Sequence, residues 1–317
     1  MIHLIHNEWM KIWKRKATLI MILSLLMIIS VFAAFSKYQE GGLQVPDNEN
    51  WMRGLELENN TYKDQLENNA LSKEMKEHYQ KQIAINEYRI KNDISTNIDY
   101  SVWNFLSDST EIIILAGLFT IIIAGGIVSN EFSWGTVKLL LIRPISRSKI
   151  LLSKYITVLL FNMMLLIVIF LFSYILGLLL FGMPKETYPY LEYQNSVVVE
   201  TSMLSYTIKY FIFKSLNVIM LATMAFMIST VFRNSSLAIG ISIFLMFAGN
   251  TVTIILAKWF DWTKFLLFAN TDLTIYLEGV PLISGMTMSF SVVLLLLYFS
   301  FFLLLSFWVF KKRDISS

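Results

Sequence analysis

The sequence predicts an all-α polytopic membrane protein with six transmembrane helices, on three observations. Of its 317 residues, 56% are hydrophobic and only 15% charged, with a mean hydropathy of +0.58; a water-soluble globule of that composition lacks the polar surface to cover itself. The charges are bunched, leaving six uncharged stretches near the roughly 20 residues that a helix needs to cross hydrocarbon. Basic residues also gather in alternate connections, as they do in membrane proteins of fixed orientation. The same composition excludes a disordered chain. A formal net charge of +3 is too small to argue a polyanion, so no nucleic-acid partner is expected, and with no cysteine there is neither a disulfide framework nor a thiolate metal site.

Residues 1–16 read as an amphipathic interfacial helix. Ile2, Ile5, Trp9, Ile12 and Trp13 share one face, with Asn7, Glu8, Lys11, Lys14 and Arg15 around the rest. Trp9 and Trp13 are the interfacial anchor residues, because indole rings settle at headgroup depth while lysines face anionic membrane lipids. The first transmembrane helix, residues 17–35, follows a basic start and so imitates a secretory signal, but its apolar run exceeds the roughly 7 to 15 residues of a cleavable one. It is read as a retained span.

Residues 36–110 form an extracellular helical insertion with eight basic and thirteen acidic residues. Gly41, Gly42, Pro46 and Asp47 mark a loop, and Leu71, Met75, Tyr79 and Ile83 then recur every four residues as a helical stripe. A shorter helix near Asn59 to Asn69 is expected before it. The insertion suits a plain spacer as well as a substrate-recruiting module.

Residues 111–310 carry spans two to six, expected at Ile112 to Val128, Tyr155 to Phe181, Ser215 to Phe232, Leu237 to Ala257 and Met286 to Phe310. The third is long enough to tilt or protrude, and the fourth has room to extend past Lys214 by snorkelling. A basic tail, 311–317, closes the chain. Orientation follows from Lys and Arg: thirteen of the 26 fall in the segments that face the cytoplasm if the N-terminus does, and those segments hold only Glu8, Glu131 and Asp314 of the 23 acids. Both termini are therefore placed in the cytoplasm. Segment 258–285 is apolar but broken by Asp261, Lys264, Asn270, Asp272, Glu278, Gly279 and Pro281. It cannot span; two short apolar pieces, near Trp259 to Phe268 and Leu273 to Leu277, are expected to dip in from the outer side as a re-entrant segment buried against protein.

Catalytic motifs are missing. The sequence has no phosphate-binding Gly-x-x-x-x-Gly-Lys-Ser/Thr loop and no His-Glu-x-x-His, and its histidines are His3, His6 and His78 alone. Neither a catalytic residue nor a metal nor a cofactor is assigned, so the chain is not expected to be an enzyme. Within the spans, Ala116-Gly117 and Ala124-Gly125-Gly126 suit close helix contact. Asn162, Asn217, Asn250 and Thr251 are candidate path-lining residues, for which interhelical hydrogen bonding is the plainer account.

The loop 129–154 is the most informative segment. A connection that merely turns the chain needs a few polar residues, yet this one holds an apolar-faced stretch, Trp134 to Ile142, closed by Pro144, with Ser146 placed to cap the third span. Such a helix at the membrane surface needs something to cover it, either lipid or the groove of a partner protein. Its residues Glu131, Gly135-Thr136, Leu139-Leu140, Arg143-Pro144, Ser146-Arg147 and Lys154 resemble the corresponding loop in permease subunits of type-2 ABC transporters, between the second and third of six spans. The likeness extends to the amphipathic start, the six-span layout, the re-entrant segment and the basic tail Lys311-Lys312-Arg313, in the subgroup with an extracellular insertion between the first two spans.

That resemblance implies that Glu131, Gly135, Thr136, Leu139, Leu140, Arg143, Pro144, Ser146 and Arg147 form a coupling helix seated in a separate ATP-binding ABC ATPase subunit, where ATP is hydrolysed. It implies further a second permease copy or related permease, a bacterial plasma membrane, and export of an amphipathic or hydrophobic substrate such as an antimicrobial peptide, a lipid or a drug. The alternative is a standalone membrane sensor or peptide-immunity protein without transport, its outer helices binding a peptide and its inner loop docking a signalling partner. A partner ATPase separates the two.

Overall fold

The computed structural model describes residues 1–42, 51–67, 71–96, 100–136, 145–184, 189–194, 197–278, 280–281 and 283–312. It is a polytopic helical membrane protein with six helices long and apolar enough to cross a bilayer: Lys16–Glu40, Val102–Ser133, Arg147–Leu180, Met203–Phe232, Ser235–Ala257 and Met288–Lys312. Successive spans alternate in direction, so the N-terminal helix Ile2–Trp13, the helix ends flanking the connection between spans two and three, and the end of the last span share one face. The insertion, the connection between spans three and four and the 258–285 segment share the other.

Most spans run longer than their uncharged cores. The first helix continues to Gly42 because Lys37 and Glu40, one turn apart, pair at 2.6 Å on its exposed end. The second begins at Val102 rather than Ile112: Phe105 and Leu106 are fully buried, and Phe105 packs across Gly177 near the far end of the third span. A helix, Val102–Asp108, and a 3₁₀ turn, Ser109–Ile112, lead into the central helix Ile113–Ile127. The third span starts at Arg147 with Ser146 as its N-cap residue, although the Ser146 hydroxyl makes no capping bond. The fourth starts at Met203, capped by Ser202, well outside Lys214. It meets the fifth through a two-residue turn in which Arg233 adopts a left-handed conformation, φ 56°, and the Asn234 side chain accepts from the Leu237 N–H at 3.0 Å.

The second and fourth spans form the centre, with 72% and 56% of their apolar windows buried against 28% or less for the other four. Small residues make this possible: Ala116 and Ala124 are fully buried. A Cβ on Gly125 would stand 2.7 Å from the Ile239 side chain, so the fifth span rests almost on the backbone of the second.

On the face opposite the termini, helices Trp51–Leu66 and Lys73–Lys91 lie antiparallel. The first begins eight residues ahead of its expected start at Asn59, since Leu55 and Asn59 form a buried edge that the apolar pattern alone understates. The Tyr62 and Tyr79 rings stack at 5.2 Å, and Asn86 donates to Asn59 at 3.0 Å. A small hairpin departs from the all-helical expectation: β1, Tyr190–Gln194, pairs antiparallel with β2, Val197–Thr201. Its Leu191 packs on Ile85 and Ile94, tying the hairpin to the insertion.

The 258–285 segment folds as a 3₁₀ turn, Asp261–Phe265, and two short helices, Leu267–Asn270 and Ile275–Glu278. Asn270 is its hub: it donates to the Lys264 and Leu266 carbonyls at 2.8 Å each and accepts from Ser291 of the last span at 2.7 Å. Tyr276 meets the same Ser291 hydroxyl at 2.7 Å. Irregular backbone here is thus satisfied by protein rather than left to lipid.

Candidate functional site

Among the described residues, the densest concentration of buried charge lies on the face shared by the termini. The N-terminal helix turns its Glu8 and Ile12 inward, and the Thr18 hydroxyl of the first span donates to the Ile12 carbonyl at 2.7 Å. Four residues after the central helix ends, the short helix Ser129–Ser133 presents Glu131. Two turns into the third span stands Lys154. These three residues are 5%, 8% and 1% exposed, and Lys11 covers them.

The Lys154 ammonium donates to Glu8 Oε2 at 2.8 Å and to Glu131 Oε1 at 2.6 Å. The Lys11 ammonium donates to Glu8 Oε1 at 2.6 Å and to Glu131 Oε1 at 3.0 Å. Two carboxylates and two ammoniums therefore close a neutral ring. Burial by itself pushes the Glu8 carboxyl up, but the Lys154 charge and the bonds from Lys11 and Lys154 hold it below its ordinary value. Burial likewise works to lower the Lys11 ammonium, and Glu8 and Glu131 raise it instead. Both shifts favour the charged forms of Glu8 and Lys11, and the paired cluster fixes three elements in one geometry.

Aromatic and polar contacts extend this platform. The Arg233 guanidinium sits 4.4 Å over the Phe132 ring, and Phe132 meets Phe310 edge to face at 6.4 Å. The Ser129 N–H donates to the Ser229 hydroxyl at 3.2 Å, and Arg147 donates to the Lys311 carbonyl at 3.2 Å. Spans two, three, four and six are all tied to the base of the 129–154 loop.

Of the residues expected to form the coupling helix, Glu131 is thus directed into the protein. Trp134, Gly135 and Thr136 form a turn rather than the start of a helix; Gly135 has φ +69°, a backbone region that favours glycine, and Trp134 is exposed beside the Arg15 guanidinium. The Thr136 hydroxyl donates to the Glu131 carbonyl at 3.4 Å. Leu139, Leu140, Arg143 and Pro144 lie outside the described residues, whereas Ser146 and Arg147 open the third span. The anchor tryptophans divide: Trp9 packs on the hydrophobic core while Trp13 is exposed, their rings 6.0 Å apart. Lys11, expected to face lipid headgroups, faces Glu8 and Glu131.

The candidate path residues take three environments. Asn162 is buried and accepts from the Thr120 hydroxyl at 3.4 Å, Asn217 is half-buried, and Asn250 and Thr251 are exposed on the outside of the fifth span. No hydrogen bond joins the four to one another among the described residues.

Glu8 and Lys11 were not joined to Glu131 and Lys154 by sequence reasoning. The available signal was scarcity, since only three acids lie in the basic segments on this side of the chain and two of them are Glu8 and Glu131.

Residues 79–316 match the model of a protein family of unknown function, DUF2705. The chain belongs to this family. Over 319 aligned residues it is 47% identical to the uncharacterized protein YhcI of Bacillus subtilis (strain 168), with both chains covered in full. It is 36% identical over 226 residues to the uncharacterized membrane protein YdbK of the same organism, covering 70% of this chain and 87% of the relative. The family match begins within the second insertion helix and takes in spans two to six, with Glu131 and Lys154.

Proposed function

We propose that this chain is the permease subunit of an ATP-driven ABC exporter in a bacterial plasma membrane, with both termini cytoplasmic and the insertion outside. It pairs with a second permease copy or a related permease and with a separate ATP-binding subunit that hydrolyses the ATP. The observation that carries this reading is the neutral ring of Glu8, Lys11, Glu131 and Lys154 at the base of the loop that resembles a coupling helix. Buried ion pairs add little net stability, and what they supply is a defined geometry. A loop mounted on second and third spans by such a ring passes an applied displacement to both helices instead of losing it in a hinge. In this reading Leu139 and Leu140 provide the apolar face that enters the ATPase, and Arg143, Pro144 and Arg147 set its angle.

The exposed polar pair Asn250 and Thr251 supports a second permease. Lipid tails cannot satisfy an amide, whereas a neighbouring helix can. The cargo is an amphipathic or hydrophobic substance, a reading supported by the scarcity of ionisable residues deep in the spans, where an ion path would need them; Lys214 of the fourth span pairs with Glu111 of the second at 3.3 Å.

Leu140→Asp tests the assignment. Burying a leucine-sized side chain is worth about 1.5 to 3 kcal/mol, and about 1.4 kcal/mol is a tenfold change in affinity. The variant is expected to insert normally but to recover at least tenfold less ATPase subunit on co-purification than Lys149→Ala, which alters an exposed side chain. Undiminished recovery and normal cargo-stimulated ATP hydrolysis would refute the coupling role and leave the sensor reading.

A further inference from the structure

Two hollows run along one flank of the third and fourth spans. The deeper is an apolar groove of about 370 Å³ between the two helices. Met163, Ile167 and Leu171 recur every four residues and form one wall, and Ile208 and Ile212 form the other; all five are exposed. Phe170 and Phe211 close the floor between them, edge to face at 5.2 Å. The second hollow, of about 430 Å³, lies at the end of the fourth span nearest the hairpin, where Trp103, Glu200, Thr201, Ser202 and Leu204 line it. Both volumes fall within the roughly 300 to 1,000 Å³ typical of small-molecule sites.

The two stand end to end. Leu204 of the second hollow and Ile208 of the groove are one turn apart on the fourth span. On the opposite wall Tyr174, one turn beyond Phe170, holds its ring 6.1 Å from that of Trp103. From Ser215, at the foot of the groove, to Leu204 the helix rises about 16 Å at roughly 1.5 Å per residue. That is about half of the roughly 30 Å of hydrocarbon in a bilayer, the depth of one leaflet. Ser215 lies near the middle of helix Met203–Phe232 and Leu204 at its start, so the paired hollows cross the leaflet on the side of the insertion. Polarity changes along the way. The groove is apolar apart from Ser215, whereas the second hollow carries Glu200, the only charged residue in its lining among the described residues.

We infer that this flank binds one phospholipid with an amine-bearing head, of the phosphatidylethanolamine kind, with an acyl chain in the groove and the head in the second hollow. The groove fits a chain and not a helix, since a helix with its side chains is about 10–12 Å across. Trp103 and Glu200 select the head. An indole ring settles at headgroup depth and its face attracts an ammonium, while a carboxylate favours that ammonium and repels a head that is only anionic. The Tyr88 hydroxyl donates to Glu200 Oε1 at 3.1 Å, which fixes the carboxylate from the insertion. The inference is independent of the transport reading, since a sensor in the same membrane meets the same leaflet.

The test uses the full-length chain in detergent, a phosphatidylethanolamine carrying a diazirine on one acyl chain, and mass-spectrometric mapping of the photolabelled peptides. Label is expected to concentrate on residues 163–171 and 208–215 and to saturate. Unlabelled phosphatidylethanolamine should compete severalfold better than phosphatidylglycerol. Ile208→Trp, which fills the groove from an exposed position, is expected to cut labelling there about tenfold and to leave label on the other spans unchanged. Glu200→Gln keeps an acceptor for the Tyr88 hydroxyl and is expected to abolish the preference between the two lipids. Unsaturable label spread evenly over the lipid-facing helices would mean ordinary bilayer lipid only and would overturn the inference. Equal competition by the two lipids in the wild-type chain, or undiminished labelling in Ile208→Trp, would overturn it as well. So would a bismaleimide bridge between two Met163→Cys chains, which would give the groove to a second copy.

Discussion

Lys154 decides the behaviour of the charged platform, because it is the most buried of the four groups and touches both carboxylates. Replacing it with Met keeps most of the side chain's apolar stem but leaves Glu8 and Glu131 facing one another with Lys11 alone between them. Removing one partner of a buried ion pair typically costs about 3–5 kcal/mol, and thermal unfolding of the purified chain in detergent should register a loss of that size for Lys154→Met. Its pH dependence follows from the signs. Glu8 is depressed in the folded chain, so its contribution is present above its ordinary value of 4.5 and is lost as pH falls through the folded value. Lys11 is raised, so its contribution is present below its ordinary value of 10.5 and is lost as pH climbs through the folded one. Wild-type stability should therefore be flat through neutral pH and fall at both ends. In Lys154→Met the acid limb should begin at higher pH, because the first charge that lowers Glu8 is gone; an acid limb superimposable on wild type would show that the ring does not govern it.

At the scale of elements, the segment before the last span is held by one side chain. Asn270 satisfies two carbonyls and a serine hydroxyl at once, and Asn270→Leu fills similar space while leaving all three without that partner. Each unsatisfied buried group costs about 1–3 kcal/mol, so the substitution should destabilise the chain by about 2 kcal/mol or more and open the stretch around Trp259 to Gly285 to protease well below the global unfolding temperature. Global unfolding without that prior cleavage would mean the segment is held by packing instead. The existence of this element was legible in its broken apolar pattern, as the six spans were in their uncharged runs. Their ends were not legible in the same way, because the outer turns of the second and fourth spans mix apolar with polar residues that only tertiary contact explains: Phe105 is helical and buried because Gly177 of the third span leaves room for it. The hairpin was missed although Val197, Val198 and Val199 are β-branched, a local preference that is weak until Ile85 and Ile94 supply a surface to cover. At the charged site the chemistry was legible but the pairing was not. Glu131 and Lys154 lie 23 residues apart and Glu8 a further 120 or more from either, and no local period links such positions.

For the whole molecule, the alternation of the six spans makes orientation a single binary choice on which every assignment of faces depends. With the N-terminus inside, the thirteen basic residues of the connecting segments sit with the charged platform in the cytoplasm, and the long insertion, whose length removes it from the charge rule, lies outside. The chain has no native cysteine, so two single-cysteine variants read that choice directly. Lys73 is exposed at the start of the second insertion helix, and Lys149 is exposed at the base of the third span, so neither substitution disturbs packing. In intact cells a membrane-impermeant maleimide should label Lys73→Cys and leave Lys149→Cys unmodified until the membrane is permeabilised. Both variants are required, since labelling at Lys73 alone is also expected of a leaky preparation, whereas protection at Lys149 in the same cells excludes leakage. The reverse pattern would turn the molecule over: the platform and its loop would face away from any ATP-hydrolysing partner, and the insertion would lie in the cytoplasm.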